Sequence, residues 1–416
     1  MTTAKLSWRP STPFTHSYQS KGVKLMIYLD NAASTQIDPQ VLEAMMPYLT
    51  EQYGNPGSLY KLGRDAKAAV EKAREQVARF MGAKPEQIIF TSGATEANNM
   101  VFEITRPFLE RTGKTHVVTS QIEHKSVLKS VQRLIDDHNF DATFTGLSRS
   151  LSALPESLRQ SFGSKTGLMS IMYANNEIGH AFDVKTIGKL CNQNDVLFHT
   201  DCVQAASCRP INVEKIGCDF ATISSHKIHG PKGVGALFVK EPDMWQPMIC
   251  GGDSQEFGLR GGTENVAGIV GFGKACELIL KNQSMAEMER LEDLKSQFLN
   301  GLATHLSENG IGRVWALNGC SRTATKTLSI RVHGIDAESL ILMADAAGVC
   351  ISAGSACNSR ENTPSHVLTA IGLSADQARS SFRVSFSRMN TSAEVEEASR
   401  IIAECIATLL NMSSDG

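Results

Sequence analysis

Six short apolar runs, Gln87–Phe90, His116–Thr119, Leu168–Tyr173, Val196–His199, Phe220–Ile223 and Gly235–Val239, recur between Met26 and Cys276. Runs this short, without regular polar alternation, suit strands buried on both faces. The stretches Glu71–Arg79, Ser126–Asp137 and Val184–Gln193 between them carry helical periodicity; in the second, Val127, Val131, Leu134 and Ile135 share one face. Strands joined through helices run parallel, because a parallel pair needs a long crossover that a hairpin cannot supply. The expected class is therefore α/β with a largely parallel sheet.

Past Cys276 the pattern changes to a long charged helix over Glu287–Leu306, a strand at Thr327–Val332, a helix at Ala337–Ala347, a strand at Phe382–Phe386 and a last helix near Ala393–Leu410. This predicts an N-terminal extension over residues 1–24, a large domain over 25–283 and a smaller α+β domain over 284–416, against which the N-terminal arm can pack. At 416 residues, 42% of them hydrophobic, the chain is long enough for two cores. A formal net charge of -2 supplies no field to hold a polyanion, so direct nucleic-acid binding is not expected.

The ten cysteines include no C-x-x-C pair and no zinc-type spacing with histidine, which disfavours a metal cage and a disulfide framework alike. No metal is expected, and a reducing cytoplasm fits best. No apolar run approaches the roughly 20 residues of a membrane span, so no membrane association is expected. The start carries Lys5, Arg9, Lys21 and Lys24 and no acidic residue before Asp30. That faintly resembles an organellar transit peptide, but a single arginine and a poor amphipathic pattern favour a disordered tail or arm.

Lys227 sits in Ser224-Ser225-His226-Lys227-Ile228-His229-Gly230, after the strand Phe220–Ile223 and downstream of Asp201. The layout suits a lysine that holds an aldehyde cofactor such as pyridoxal phosphate as a Schiff base, with Asp201 as the acid anchor of its ring nitrogen. Phosphate would find donors in Thr91-Ser92-Gly93-Ala94-Thr95, a strand end and glycine turn leading into a helix start. A second cluster, Ser352-Ala353-Gly354-Ser355-Ala356-Cys357-Asn358-Ser359, sets one thiol among small polar residues, where it is reachable as a nucleophile. Two further patterns mislead. Gly268 to Lys274 has Walker A spacing, but Ala275 lacks the hydroxyl that holds magnesium, so a close-packed helix is expected. Ser126 to Lys129 mimics part of a serine acyl-enzyme signature without its partners and reads as an ordinary amphipathic helix.

Taken in order, Tyr28-Leu29-Asp30-Asn31-Ala32-Ala33, Thr91 to Glu96, Ile122-Glu123-His124-Lys125, Asn175-Asn176-Glu177-Ile178-Gly179, the Asp201 and Lys227 segments, Arg260-Gly261-Gly262-Thr263, the Cys357 loop and Arg383-Val384-Ser385 form a specific series. By it the chain resembles the cysteine desulfurases that assist iron–sulfur cluster assembly, sulfurtransferases of the class V aminotransferase family among the fold-type I pyridoxal-phosphate enzymes. The resemblance implies a mainly parallel seven-stranded sheet in the large domain and a small domain that carries the catalytic cysteine loop. Lys227 resembles the lysine that binds the cofactor and later moves the substrate's Cα proton. Asp201 resembles the partner of the pyridine nitrogen, His124 the imidazole that stacks on the ring and relays protons, and Gln204 the contact to the ring oxygen. Ala94, Thr95, Ser224 and His226 match phosphate-holding positions, and Thr263 matches one that arrives from a neighbouring subunit, implying a homodimer. Asn176 and Arg383, with Asn31, match substrate-binding positions, where an arginine fork suits a carboxylate. Asn176 also matches a cofactor contact.

The implied reaction takes L-cysteine to L-alanine and leaves the sulfur as a persulfide on Cys357, to be passed to a sulfur-acceptor protein. Three departures mark a divergent branch. The family's usual Asp-Ala-Thr-Gln is here Asp201-Cys202-Val203-Gln204, Ser387 stands for the usual glycine before Arg388, and Tyr60 stands for the usual histidine after Asn55-Pro56-Gly57-Ser58. Cluster assembly, sulfur insertion into tRNA or the DNA backbone, and a nitrogenase-type pathway stay open as destinations. So do a fold-type I lyase or aminotransferase that does not use Cys357 and a catalytically silent scaffold, which would bind no cofactor.

Overall fold

A computed structural model of the chain describes residues 26–146, 158–252, 255–282, 285–319, 325–354 and 363–414. The six apolar runs all become strands: β2 (Ile88–Thr91), β3 (His116–Ser120), β5 (Thr166–Ser170), β6 (Leu197–Asp201), β7 (Phe220–Ser224) and β8 (Gly235–Val239). A seventh, β4 (Asp141–Thr145), completes a sheet in the order β2-β8-β7-β6-β5-β3-β4. Only β8 runs against its neighbours β2 and β7; the other pairings are parallel.

Helices α1 (Pro39–Thr50), α2 (Lys61–Met81), α3 (Ala94–Thr112), α4 (Lys125–His138), α5 (Val184–Gln193) and α6 (Val266–Asn282) accompany this sheet. Two separate apolar cores fill its two faces, as a sheet buried on both sides requires. The Gly268–Lys274 pattern lies inside α6, and its glycines serve packing. A Cβ on Gly271 would stand 2.6 Å from Met45 Sδ, and one on Gly273 would stand 2.8 Å from Ala73 Cα. Without side chains there, α6 seats closely against α1 and α2.

The second half builds an antiparallel sheet, β12 (Ser352–Ala353), β13 (Ser381–Ser385), β10 (Thr327–Val332) and β9 (Trp315–Leu317), in that order. Helices α7 (Met285–Glu308), α8 (Ala337–Ala346) and α9 (Ser392–Ser414) pack with it around a third core. That core also takes Ile27 and Leu29 from the start of the described chain. Strand β1 (Ile27–Tyr28) pairs in parallel with β11 (Val349–Cys350). No helix among the described residues is long and apolar enough to cross a membrane.

One buried ion pair fixes the segment that leads to Thr263. Arg74 in α2 sends two parallel hydrogen bonds to Glu256, each 2.8 Å. Glu256 also accepts the Phe90 amide at 2.6 Å, and both side chains are under 5% exposed. Glu256 and Phe257 hold φ values of 42° and 55°, in the left-handed region, where side chains are strained. Removing one partner strands a buried charge, which costs about 3–5 kcal/mol. Arg74→Met is expected to lose that much in equilibrium denaturation, and Arg74→Met with Glu256→Leu to recover most of it.

Candidate active site

The carboxyl ends of the parallel strands carry the site, where ligands of open α/β sheets bind. A cavity of about 590 Å³ opens there. Each strand end delivers a different group. Beyond β2 come Ser92 to Glu96, beyond β3 His124 and Lys125, beyond β5 Met172 to Glu177, at the end of β6 Asp201, then Val203 and Gln204, and at the end of β7 Ser224, then His226 and Lys227. Arg383 of β13 and His366 close the wall from the second half.

Asp201 is fixed by two hydrogen bonds. Its Oδ1 accepts the Val203 amide at 2.9 Å, and its Oδ2 accepts Asn98 Nδ2 at 2.8 Å. The same Asn98 nitrogen donates to Ser126 Oγ at 2.9 Å, and Ser126 Oγ stands 2.7 Å from His124 Nδ1. Because the serine oxygen already accepts from Asn98, its hydrogen is available to His124, whose Nδ1 also accepts the Ser126 amide at 3.2 Å as the cap of α4. A polar chain thus ties the carboxylate to the imidazole. Burial lowers the His124 pKa, partly opposed by Asp201, so the ring is neutral at pH 7.

Lys227 Nζ donates to the carbonyls of Ala32 and Ala33, each at 2.6 Å, and Gln204 Nε2 donates to the Ala32 carbonyl at 3.0 Å. His226 Nδ1 lies 3.2 Å from Ser34 Oγ, and burial, with Lys227 beside it, pushes its imidazole down to about 4. Around the start of α3, Gly93, Ala94 and Thr95 share the wall with Ser224, His226 and Lys232. Gly235 packs on Gly93, where a Cβ would fall 2.8 Å from the Gly93 Cα. An amine, a bound carboxylate and a helix start with hydroxyl and imidazole neighbours thus line one cavity. That is the donor set pyridoxal phosphate requires for its aldehyde, ring nitrogen and phosphate. The residues fit the cofactor.

Arg383 is 1% exposed. Its NH2 donates to Asp30 Oδ1 at 2.6 Å, its NH1 to the carbonyls of Asn176 and Gly354 at 3.2 Å, and its Nε has no partner. Asn176 lines the cavity beside it. Asn31 and Thr263 do not line it. Asn31 is buried and donates to the Ser385 carbonyl at 2.9 Å and to Asn390 Oδ1 at 3.2 Å, tying its segment to β13, while Thr263 is solvent-exposed. Cys357 lies outside the described residues.

Several polar groups of the site have no counterpart among the sequence-derived candidates. Asn98 and Ser126 form the relay just described. Glu123 is fully buried, accepts Ser120 Oγ at 2.6 Å and the Met172 amide at 2.9 Å, and is pushed up to about 8 chiefly by burial. Glu177 is buried on the cavity wall and accepts Ser365 Oγ; burial raises its carboxyl. Lys326, buried and pushed down to about 8 by desolvation, donates to the Lys227 carbonyl at 3.3 Å. Glu123 and Glu177 sit inside quoted motifs and Asn98 just past one; only for Lys326 was there no signal.

Fold and site together define a fold-type I pyridoxal-phosphate enzyme. The family model of class-V aminotransferases matches residues 27–397, and the chain belongs to that family. It falls among the cysteine desulfurases. It is 38% identical to "Cysteine desulfurase IscS" of Dictyoglomus turgidum, over 94% of this chain and 97% of that one. A solved structure titled "NIFS-LIKE PROTEIN" superposes with a TM-score of 0.81 at 32% identity, covering 91% of this chain and 99% of the other. Another, "SspA in complex with cysteine", does so with a TM-score of 0.75 at 34% identity, covering 88% and 99%.

The buried histidines make stability depend on acid. His199, fully buried between Ser170 and Thr222, is pushed down to about 4, as are His226 and His229. In the unfolded chain each titrates near 6.5, so between about pH 6.5 and 4 the unfolded state binds protons that the folded state refuses. Stability therefore falls as pH drops through that window, by up to about 1.4 kcal/mol per pH unit for His199 alone. The unfolding free energy from urea denaturation is expected to be lower at pH 5.0 than at pH 7.5 by about 2 kcal/mol from His199 alone, and His199→Gln is expected to reduce that difference.

Proposed function

We propose that the protein removes sulfur from L-cysteine, releases L-alanine, and holds the sulfur as a persulfide on Cys357 for delivery to a sulfur-acceptor protein. The observation that carries this reading is one cavity that joins Lys227, Asp201 and Arg383, with the two flanks of the Cys357 segment hydrogen-bonded to the wall residues Arg383 and Glu177. Gly354 accepts Arg383 NH1, and Ser365 donates to Glu177.

Pyridoxal phosphate, when bound, supplies an electron sink for charge developing at the substrate's Cα. Lys227 and Asp201 would hold it, with Gln204 at the ring and Ala94, Thr95, Ser224 and His226 at the phosphate. Arg383 and Asn176 grip the substrate carboxylate, Arg383 with a guanidinium whose Nε is still unpaired. Lys227 Nζ, held between the Ala32 and Ala33 carbonyls, is the group that takes the Cα proton.

Cys357 Sγ, as thiolate, attacks the substrate sulfur. The S–S bond forms, the Cβ–S bond breaks with its electron pair left on carbon, and a proton completes the methyl group of alanine.

The working unit is proposed to be a cytoplasmic homodimer in which Thr263 of each subunit reaches the other's cofactor site. Its exposure away from its own cavity supports this, as do the exposed apolar side chains of Leu49 at the end of α1 and of Tyr53, Leu59 and Tyr60 between α1 and α2. No direct nucleic-acid contact is proposed, in line with the net charge of -2.

Cys357→Ala is expected to keep the yellow cofactor and bind L-cysteine while alanine and sulfide release falls at least about 100-fold. Release at the wild-type rate would leave a lyase that does not use Cys357.

A further inference from the structure

We propose that Lys326 is a positioning residue for the reaction: from the antiparallel sheet it holds the backbone of Lys227, and so fixes where that amine stands relative to the substrate's Cα. The proposal rests on the reading of Lys227 as the group that takes the Cα proton. Lys326 immediately precedes β10 and is 2% exposed. Its Nζ donates to the Lys227 carbonyl at 3.3 Å, across 99 residues of chain.

Lys227 ends one tight helical turn, Ser225–Lys227, that follows β7. Backbone amides hold the carbonyls around it. Ser225 accepts from Ile228 and Gly230, each at 3.0 Å, His226 from Thr35 at 2.9 Å, and His229 from Asp38 at 2.9 Å. At Lys227 a side chain from the other half of the molecule takes that place. Two residues on, His229 has a φ of 65°, in the left-handed region. A strained segment of this kind keeps its shape only where its surroundings hold it.

The holder is itself anchored. The Phe386 amide donates to the Lys326 carbonyl at 2.9 Å, and β10 pairs with β13, Ser329 opposite Arg383. The arginine assigned to the substrate carboxylate and the lysine that holds Lys227 thus come from paired strands of one sheet. Their spacing sets how far Lys227 Nζ must reach to the bound Cα, and a misplacement of about 1 Å in such a geometry can cost about 100-fold in rate.

Stability alone does not account for a lysine at this place. Burial pushes its ammonium down to about 8, and Asp30, the carboxylate in its field, is bonded to Arg383 at 2.6 Å. Among the described residues the ammonium has one hydrogen bond, the one to Lys227. A charge buried on those terms is destabilising, and a methionine, of similar length and uncharged, would avoid the penalty.

In the holoenzyme, exchange of the Cα hydrogen of L-alanine with deuterated water, followed by proton NMR, reads the step assigned to Lys227 without calling on Cys357. Lys326→Met is expected to slow this exchange, and kcat with L-cysteine, about 10- to 100-fold. KM for L-cysteine is expected to stay unchanged, and the melting temperature to stay level or rise. Exchange at the wild-type rate overturns the proposal. So does a loss confined to KM or accompanied by a lower melting temperature, which marks a structural role. Lys227→Ala run in parallel separates the two readings. If it exchanges like the wild type, or the wild type itself does not exchange, the reading of Lys227 fails; if it is inactive while Lys326→Met is unimpaired, only the role of Lys326 fails.

Discussion

The Arg383 guanidinium is the joint on which the molecule turns. From β13 in the antiparallel sheet it reaches Asp30 near the start of the described chain, the Asn176 carbonyl beyond β5 of the large sheet and the Gly354 carbonyl beside β12. One side chain therefore ties both halves of the fold together at the cavity wall. A planar group with five donors can serve three partners and still present an edge to a ligand, which a lysine at the same place could not do. Binding and architecture share the same atoms, so the substrate's carboxylate would meet a group already held in place.

The large sheet was readable because its strands are buried on both faces and leave unbroken apolar runs. β4 was not, since Asp141-Ala-Thr-Phe-Thr145 lies at the sheet edge, half-exposed and mixed in polarity. Helix ends were less legible than helix centres: the Glu71–Arg79 pattern marks only the middle of α2, which runs from Lys61 to Met81. In the site, Lys227, Asp201, His124 and Arg383 could be named because whole motifs surround them. Lys326 could not, because its role comes from burial against the Lys227 carbonyl 99 residues away, and no local pattern announces such a contact.

The relay from Asp201 through Asn98 and Ser126 to His124 shows how the scaffold sets chemistry without touching a ligand. Asn98 comes from α3 and Ser126 from α4, so two helices that flank the sheet determine which nitrogen of His124 bears hydrogen. A fixed tautomer matters more here than a fixed charge, because burial already keeps the ring neutral.

Strand β1 has a consequence for synthesis. Its partner is β11, with Ile27 opposite Val349, so the first described strand leaves the ribosome long before the strand that will hold it. At typical elongation rates the interval is roughly 15 to 60 s. During it, Ile27 and Leu29, both destined for the third core, have no core to enter. The nascent chain can assemble its large sheet in that time, but its beginning must wait for its end, and the site between the two halves closes last.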